Sequence, residues 1–214
     1  MATHEHRRPN TVRGIAAALG RIVLVVAFTA VQAAALAVWL GTVRDAPVGS
    51  GSLVVGIAIL LGGLVVEHAL TDLAVNGRAA TLPDAASVAV GAAEGALWAL
   101  WLAVAGRVGG VEGVLFAGVA LGATLVVHHT VEINDLRGRT PFAGVLNLGT
   151  IGISAVEAAG ATAWLLVVTR REAVGRLLEA VGIGGVEPAT VGVGLLAVAL
   201  FVEHTAGVAL ARRA

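Results

Sequence analysis

Nine ionisable side chains lie inside apolar stretches of this 214-residue chain: Glu67, His68, Glu94, His128, His129, Glu132, Glu157, Glu203 and His204. Asp72 lies nearer the end of its stretch, and Gln32 occupies a similar place in the first. An ionisable residue at the centre of a bilayer costs a few kcal/mol even on the lenient insertion scale, so a group of them marks a site. The five carboxylates Glu67, Glu94, Glu132, Glu157 and Glu203 share their surroundings with no arginine or lysine. Such anions in low dielectric need protons, imidazolium or a bound cation to balance them.

Imidazole with carboxylate is a ligand set for zinc, iron or copper. His68, His129, His204, Glu94, Glu157, His128 and Glu132 are the candidate ligands. Glu67, Glu203, Asp72 and Gln32 are candidates for orienting those ligands or relaying protons. A b-type haem on two axial histidines is the weaker variant, because it leaves the carboxylates and a further histidine without a role. Three functional readings stay open: a membrane metalloprotein, redox or hydrolytic; a proton or divalent-cation transporter or channel; and a structural subunit with a satisfied polar core. Whether the chain is an enzyme is not decided by these residues.

The elements that position these groups follow from hydropathy. The chain is 57% hydrophobic and 13% charged, with mean hydropathy +0.91. Soluble domains are roughly 45–50% apolar and roughly 25% charged, so the expected fold is an all-α integral membrane protein in a lipid bilayer. Six stretches of spanning length occur at about 13–43, 52–76, 83–106, 111–135, 142–169 and 188–211. A polar segment, 1–12, precedes them, and a short interfacial helix is expected over Glu172–Val181. The formal net charge of +0 excludes nucleic-acid binding by bulk electrostatics. With no cysteine there is no disulfide, thiolate metal site or thiol nucleophile. No nucleotide-binding loop, nucleophile elbow or Glu-x-x-His pair is present. Protein partners are not legible.

Rare residues recur at fixed spacing. Gln32, Glu94 and Glu157 are each followed seven residues later by a tryptophan: Trp39, Trp101 and Trp164. Val66–Glu67–His68, Val127–His128–His129 and Val202–Glu203–His204 align in the even stretches. The chain therefore reads as three tandem helical hairpins, about 13–77, 82–137 and 141–212, forming a pseudo-threefold bundle. Flanking arginines give depths at ~1.5 Å per residue. Glu94 and Glu157 lie 13 residues before Arg107 and Arg170, while His129 and His204 lie 8 residues before Arg137 and Arg212. Both sets fall in one layer slightly to one side of the midplane, where His68, His129 and His204 are expected to form a three-histidine face. The tryptophans are either an interfacial belt or a plug in the other half of the bundle.

Arginine sets the expected orientation. Arg7, Arg8, Arg13, Arg21, Arg78, Arg137, Arg139, Arg212 and Arg213 stand on one side, against Arg44, Arg107, Arg170, Arg171 and Arg176 on the other. Both termini are thus expected in the cytoplasm of a multi-pass cell-membrane protein. The N-terminal His4–Glu5–His6 is read as a polar tail.

Overall fold

The computed structural model describes residues 11–77 and 85–213. The tail with His4–Glu5–His6, and Arg78 in the second link, lie outside the described residues. Within them the chain is helical with no strand: α1 (Thr11–Val43), α2 (Gly51–Asn76), α3 (Ala85–Val108), α4 (Gly110–Leu136), α5 (Leu148–Thr169), α6 (Arg171–Ala180) and α7 (Pro188–Ala211). All but α6 are long and apolar enough to cross a membrane. The protein is a multi-pass helical membrane protein.

The element ends follow local chemistry. Ser50 caps α2 by accepting from the Leu53 N–H, and Gly77 ends that helix in the left-handed region at φ 66°. Pro188 opens α7, where its missing N–H costs nothing. The fifth span is shorter than its apolar stretch implies. It begins at Leu148 rather than near 142, because the Asn147 side chain caps it by accepting from Gly149 N at 2.7 Å. The preceding turn is pinned by the Asn134 amide, which donates to the carbonyls of Pro141 and Ala143 at 2.9 and 2.8 Å.

The six spans form a closed ring in chain order, α1, α2, α3, α4, α5, α7 and back to α1. Across the interior the backbones of α2, α4 and α7 approach one another, whereas α1, α3 and α5 meet through long side chains, Gln32 with Glu94 and Trp101 with Trp164. Two of the within-hairpin crossings share one device. A Cβ on Gly63 of α2 would meet the Ala35 Cβ of α1 at 2.2 Å, and a Cβ on Gly160 of α5 would meet the Ala199 Cβ of α7 at 2.2 Å. Membrane helices lack a hydrophobic drive to associate, so close backbone approach carries their packing. Gly160→Leu is expected to part α5 from α7 and cost roughly 1–3 kcal/mol. A thermal unfolding scan in detergent checks this; an unchanged midpoint would refute the role of the crossing.

The bundle is asymmetric along its length. The half holding the ends of α1, α3 and α5 is filled by a dry cluster of Leu36, Leu60, Leu64, Leu196, Leu200 and four tryptophans. The half nearer the chain termini holds only the small cluster of Val25, Phe28, Ala74 and Val208 and a second of Ile133, Ile153 and Ala211. At that end Arg137 donates to the Ala211 and Leu210 carbonyls and Arg212 to those of Ala74 and Val75, answering the unpaired carbonyls of α7 and α2. The short helix α6 spans almost the stretch that its composition suggests, with Leu178 its buried residue.

Candidate metal centre

Every ionisable residue of the polar layer faces inward. Glu67, His68, Glu94, His128, His129, Glu157, Glu203 and His204 are all buried, and Glu132 keeps 16% side-chain exposure. The helical period explains why adjacent residues serve different neighbours. Glu67 and His68 diverge by ~100° around α2, as do His128 and His129 on α4 and Glu203 and His204 on α7.

The result is a cycle. His68 lies 3.9 Å from Glu94 and its ring packs edge-on to His128 at 6.1 Å between centroids. His129 lies 3.1 Å from Glu157 and 3.6 Å from Glu203. His204 lies 3.7 Å from Glu67. Each histidine thus meets the residue that precedes the histidine of another even span: α2 meets α4, α4 meets α7, and α7 meets α2. Further pairs knit the cycle: His204 with Glu203 at 3.2 Å, His68 with Glu132 at 3.7 Å, and His128 with Glu94 at 3.8 Å.

Backbone and hydroxyl partners fix which ring nitrogen faces the interior. The Ser154 hydroxyl donates to the Thr150 carbonyl at 2.7 Å, so it accepts from His129 Nδ1 at 2.9 Å. The Nε2 lone pair of a neutral His129 then points at two carboxylates. His68 Nδ1 donates to the Leu64 carbonyl at 2.8 Å, with Glu67 Oε2 also 2.8 Å away. Its Nε2 therefore faces Glu94 and Glu132 with no hydrogen on it unless the ring is charged. His204 Nδ1 is held by Thr29 Oγ1 at 2.8 Å, again leaving Nε2 towards carboxylates. A lone pair between two carboxylate oxygens is repulsive until a proton or a metal ion sits between them.

Buried atoms without partners locate the shortfall. His68 Nε2 and Glu157 Oε1 have no hydrogen-bond partner, and Glu157 Oε2 has only His129 Nε2 beside it, at 3.1 Å; Gln32 Oε1 and Trp101 Nε1 are also without a partner. Five carboxylates face four imidazoles in the layer, so protonating every ring still leaves one negative charge (5 − 4 = 1). Two clusters gather ligand atoms within 4.8 Å of one another: His68, Glu94 and His128, and His129, Glu157 and Glu203. Ligands at ~2.0–2.2 Å from a first-row metal stand at most ~4.4 Å apart, so each cluster needs only a small inward movement to close on an ion. The donor set fits such a metal.

The sequence expectation of one face made by His68, His129 and His204 is replaced by an alternation of imidazole and carboxylate. The two clusters each take one of those histidines, and His204 belongs to neither. Asp72 stands apart from the layer and accepts from the Asn76 amide at 2.7 Å. Gln32 does reach the layer, donating from Nε2 to Glu94 Oε1 at 2.7 Å. The Trp98 indole donates to the same oxygen at 3.0 Å, so Glu94 keeps Oε2 for the histidines. This explains the neutral residue at 32: a glutamate there would set carboxylate against carboxylate. Trp39, Trp98, Trp101 and Trp164 are all buried, with Trp101 stacked on Trp164 at 6.3 Å. They fill the bundle and form no outward belt.

Thr29, Thr71 and Ser154 were not legible as site residues. Thr71 donates to Glu67 Oε1 at 2.7 Å. Thr29 and Ser154 each precede the Gln or Glu of their span by three residues (32 − 29 and 157 − 154), and that register is the signal that would have found them. Gly91 holds the same place before Glu94, and there His68 turns to its own helix carbonyl instead.

No protein-family model, curated protein or solved structure matches the chain.

Proposed function

We propose that the chain is a membrane metalloprotein that holds two transition-metal ions of the zinc, iron or copper type in its polar layer. The observation that carries this reading is the gathering of buried ligand atoms within 4.8 Å of one another in two clusters, with His68 Nε2 and Glu157 Oε1 lacking any hydrogen-bond partner. The clusters differ in chemistry. His68, His128 and Glu94 supply two imidazoles and one carboxylate, a donor set shared by catalytic zinc sites and non-haem iron oxygenases. His129, Glu157 and Glu203 supply one imidazole and two carboxylates, a harder and more anionic set. A metal ion with an open position would supply Lewis-acid or redox chemistry there. The chain's own part is orientation: Ser154 and the Leu64 carbonyl fix the rings of His129 and His68 by their Nδ1 atoms, and Gln32 with Trp98 fixes Glu94.

A proton or cation conduit needs a route to both faces. The tryptophan and leucine cluster fills one half of the bundle, which favours a resident ion reached from one side. Metal analysis of protein purified in detergent without chelators is expected to give about two ions per chain. A metal-free protein that still folds would overturn this reading in favour of a protonated network.

We also read the chain as three hairpin repeats. The cyclic His–Glu and His–His pairing, the matched Gly63–Ala35 and Gly160–Ala199 crossings, and the equivalent places of Thr29 and Ser154 support this. The arginine asymmetry supports both termini lying in the cytoplasm of a cell-membrane protein. Because the chain has no cysteine, single thiols test the orientation cleanly. Val48→Cys is expected to label from outside the cell with an impermeant maleimide, and Thr140→Cys only from inside. The reverse pattern would invert the orientation.

A further inference from the structure

The polar layer is closed on one side and open by about one water molecule on the other. A small cavity of about 20 Å³ reaches from Glu132, Glu203 and His204 past Thr71 and Gly207 towards Leu136, at the end of α4. That volume holds a single water, and Thr71, Glu132, Glu203 and His204 in an otherwise apolar wall supply polar partners for one. Glu132 borders this cavity and is the most exposed carboxylate of the layer, at 16% against 1% for Glu157 and 5% for Glu94. It also lies 3.7 Å from the unpartnered Nε2 of His68. Gly207 leaves the passage clear: a Cβ there would stand 3.4 Å from Glu203 Oε1 and 4.0 Å from Ile153 Cδ1. On the opposite side the next side chains are Trp98, Trp101 and Trp164, all buried in the apolar cluster of that half.

Resting on the metal-binding reading above, the geometry points to a one-sided loading port between α4 and α7, in which Glu132 is the first ligand that an entering divalent cation meets. Glu132 lies outside both three-residue clusters and so is free to take the ion from water and pass it to His68. As the ion moves inward, a water molecule takes its place at the Glu132 carboxylate, and the neutral His68, with its hydrogen on Nδ1, supplies its Nε2 lone pair, so that no proton is gained or lost. Charge and atoms balance without any other reactant.

Two measurements test this, with zinc ion alone as the probe. The first is the rate at which metal-stripped protein takes up zinc, followed by competition with a chromophoric chelator. Gly207→Leu fills the passage and is expected to slow uptake at least tenfold. Uptake at the wild-type rate would overturn the port. The second measurement does not depend on metal. Gly207→Cys, a single thiol in a cysteine-free chain, is expected to react with a small methanethiosulfonate reagent only from the membrane face that carries Arg137 and Arg212. Labelling from the other face, or from neither, would overturn the port even if Gly207→Leu fails to fold. A wild-type protein that takes up no zinc would refute the metal-binding reading, and the thiol result would still decide whether the layer opens at this end.

Discussion

Glu157→Gln is expected to leave the protein folded and to remove one of two bound metal ions. The side chain is 1% exposed; His129 Nε2 stands 3.1 Å from Oε2, and Oε1 has no hydrogen-bond partner. The amide keeps the volume but loses the anion, and offers a neutral oxygen to the ion in place of a carboxylate. Burying a carboxylate against a neutral imidazole is costly, so without metal or proton the substitution would relieve the fold rather than harm it. The two readings therefore separate. With a resident ion, metal content falls from about two to about one per chain, and thermal stability falls with it because bound ligand stabilises the native state. With a protonated network, metal content does not respond and stability holds or rises. His129→Ala is the companion variant, since it removes the imidazole of the same cluster. Retention of both ions in both variants would sink the assignment of this cluster.

Trp164→Ala is expected to destabilise the bundle by roughly 3–5 kcal/mol, the range for truncating a buried tryptophan. Its ring stacks on Trp101, and Trp101 packs edge-on to Trp98 at 5.4 Å. A Cβ added at Gly192 of α7 would come within 2.9 Å of the Trp164 ring, so that neighbour is already in close contact and cannot fill the space by a small shift. Chemical or thermal unfolding in detergent measures the loss. A shift of less than about 1 kcal/mol would mean that the tryptophans are loosely held and that this half of the bundle is not a seal.

The sequence-level reading was strong where it rested on length and rarity. The spans were legible because lipid demands about twenty apolar helical residues, and five of the six starts and ends agree within about two residues. The fifth start differed because Asn147 and the turn before it interrupt an apolar run that hydropathy alone reads through. That these groups share one level was legible because His129, His204, Glu94 and Glu157 can be counted from the arginines that flank their spans. What could not be read was azimuth. Adjacent residues such as His128 and His129 point ~100° apart, and which neighbour each meets depends on how six helices rotate about their own axes. That rotation is set by close crossings such as Gly160 on Ala199, which involve the commonest residues in the chain. The hydroxyls of Thr29 and Ser154 were hidden for the same reason: a lone threonine or serine in a membrane helix usually bonds its own backbone.

The packing difference between the two halves of the bundle also has an electrical side. The leucine and tryptophan half is an insulator, and the layer lies ~12–15 Å from the arginines at the other end by helical rise, in a hydrocarbon core ~30 Å thick. A doubly charged ion that entered from the end carrying Arg137 and Arg212 and stopped at the layer would have crossed somewhat less than half of the transmembrane field. At about 2.3 kcal/mol per elementary charge per 100 mV for the full thickness, its binding free energy changes by about 2 kcal/mol per 100 mV. On the metal-binding reading proposed above, occupancy of the site would be tied to membrane voltage: polarisation that drives cations inward from that end would tighten binding by roughly thirtyfold per 100 mV, and the opposite polarity would weaken it by as much, with no moving helix required.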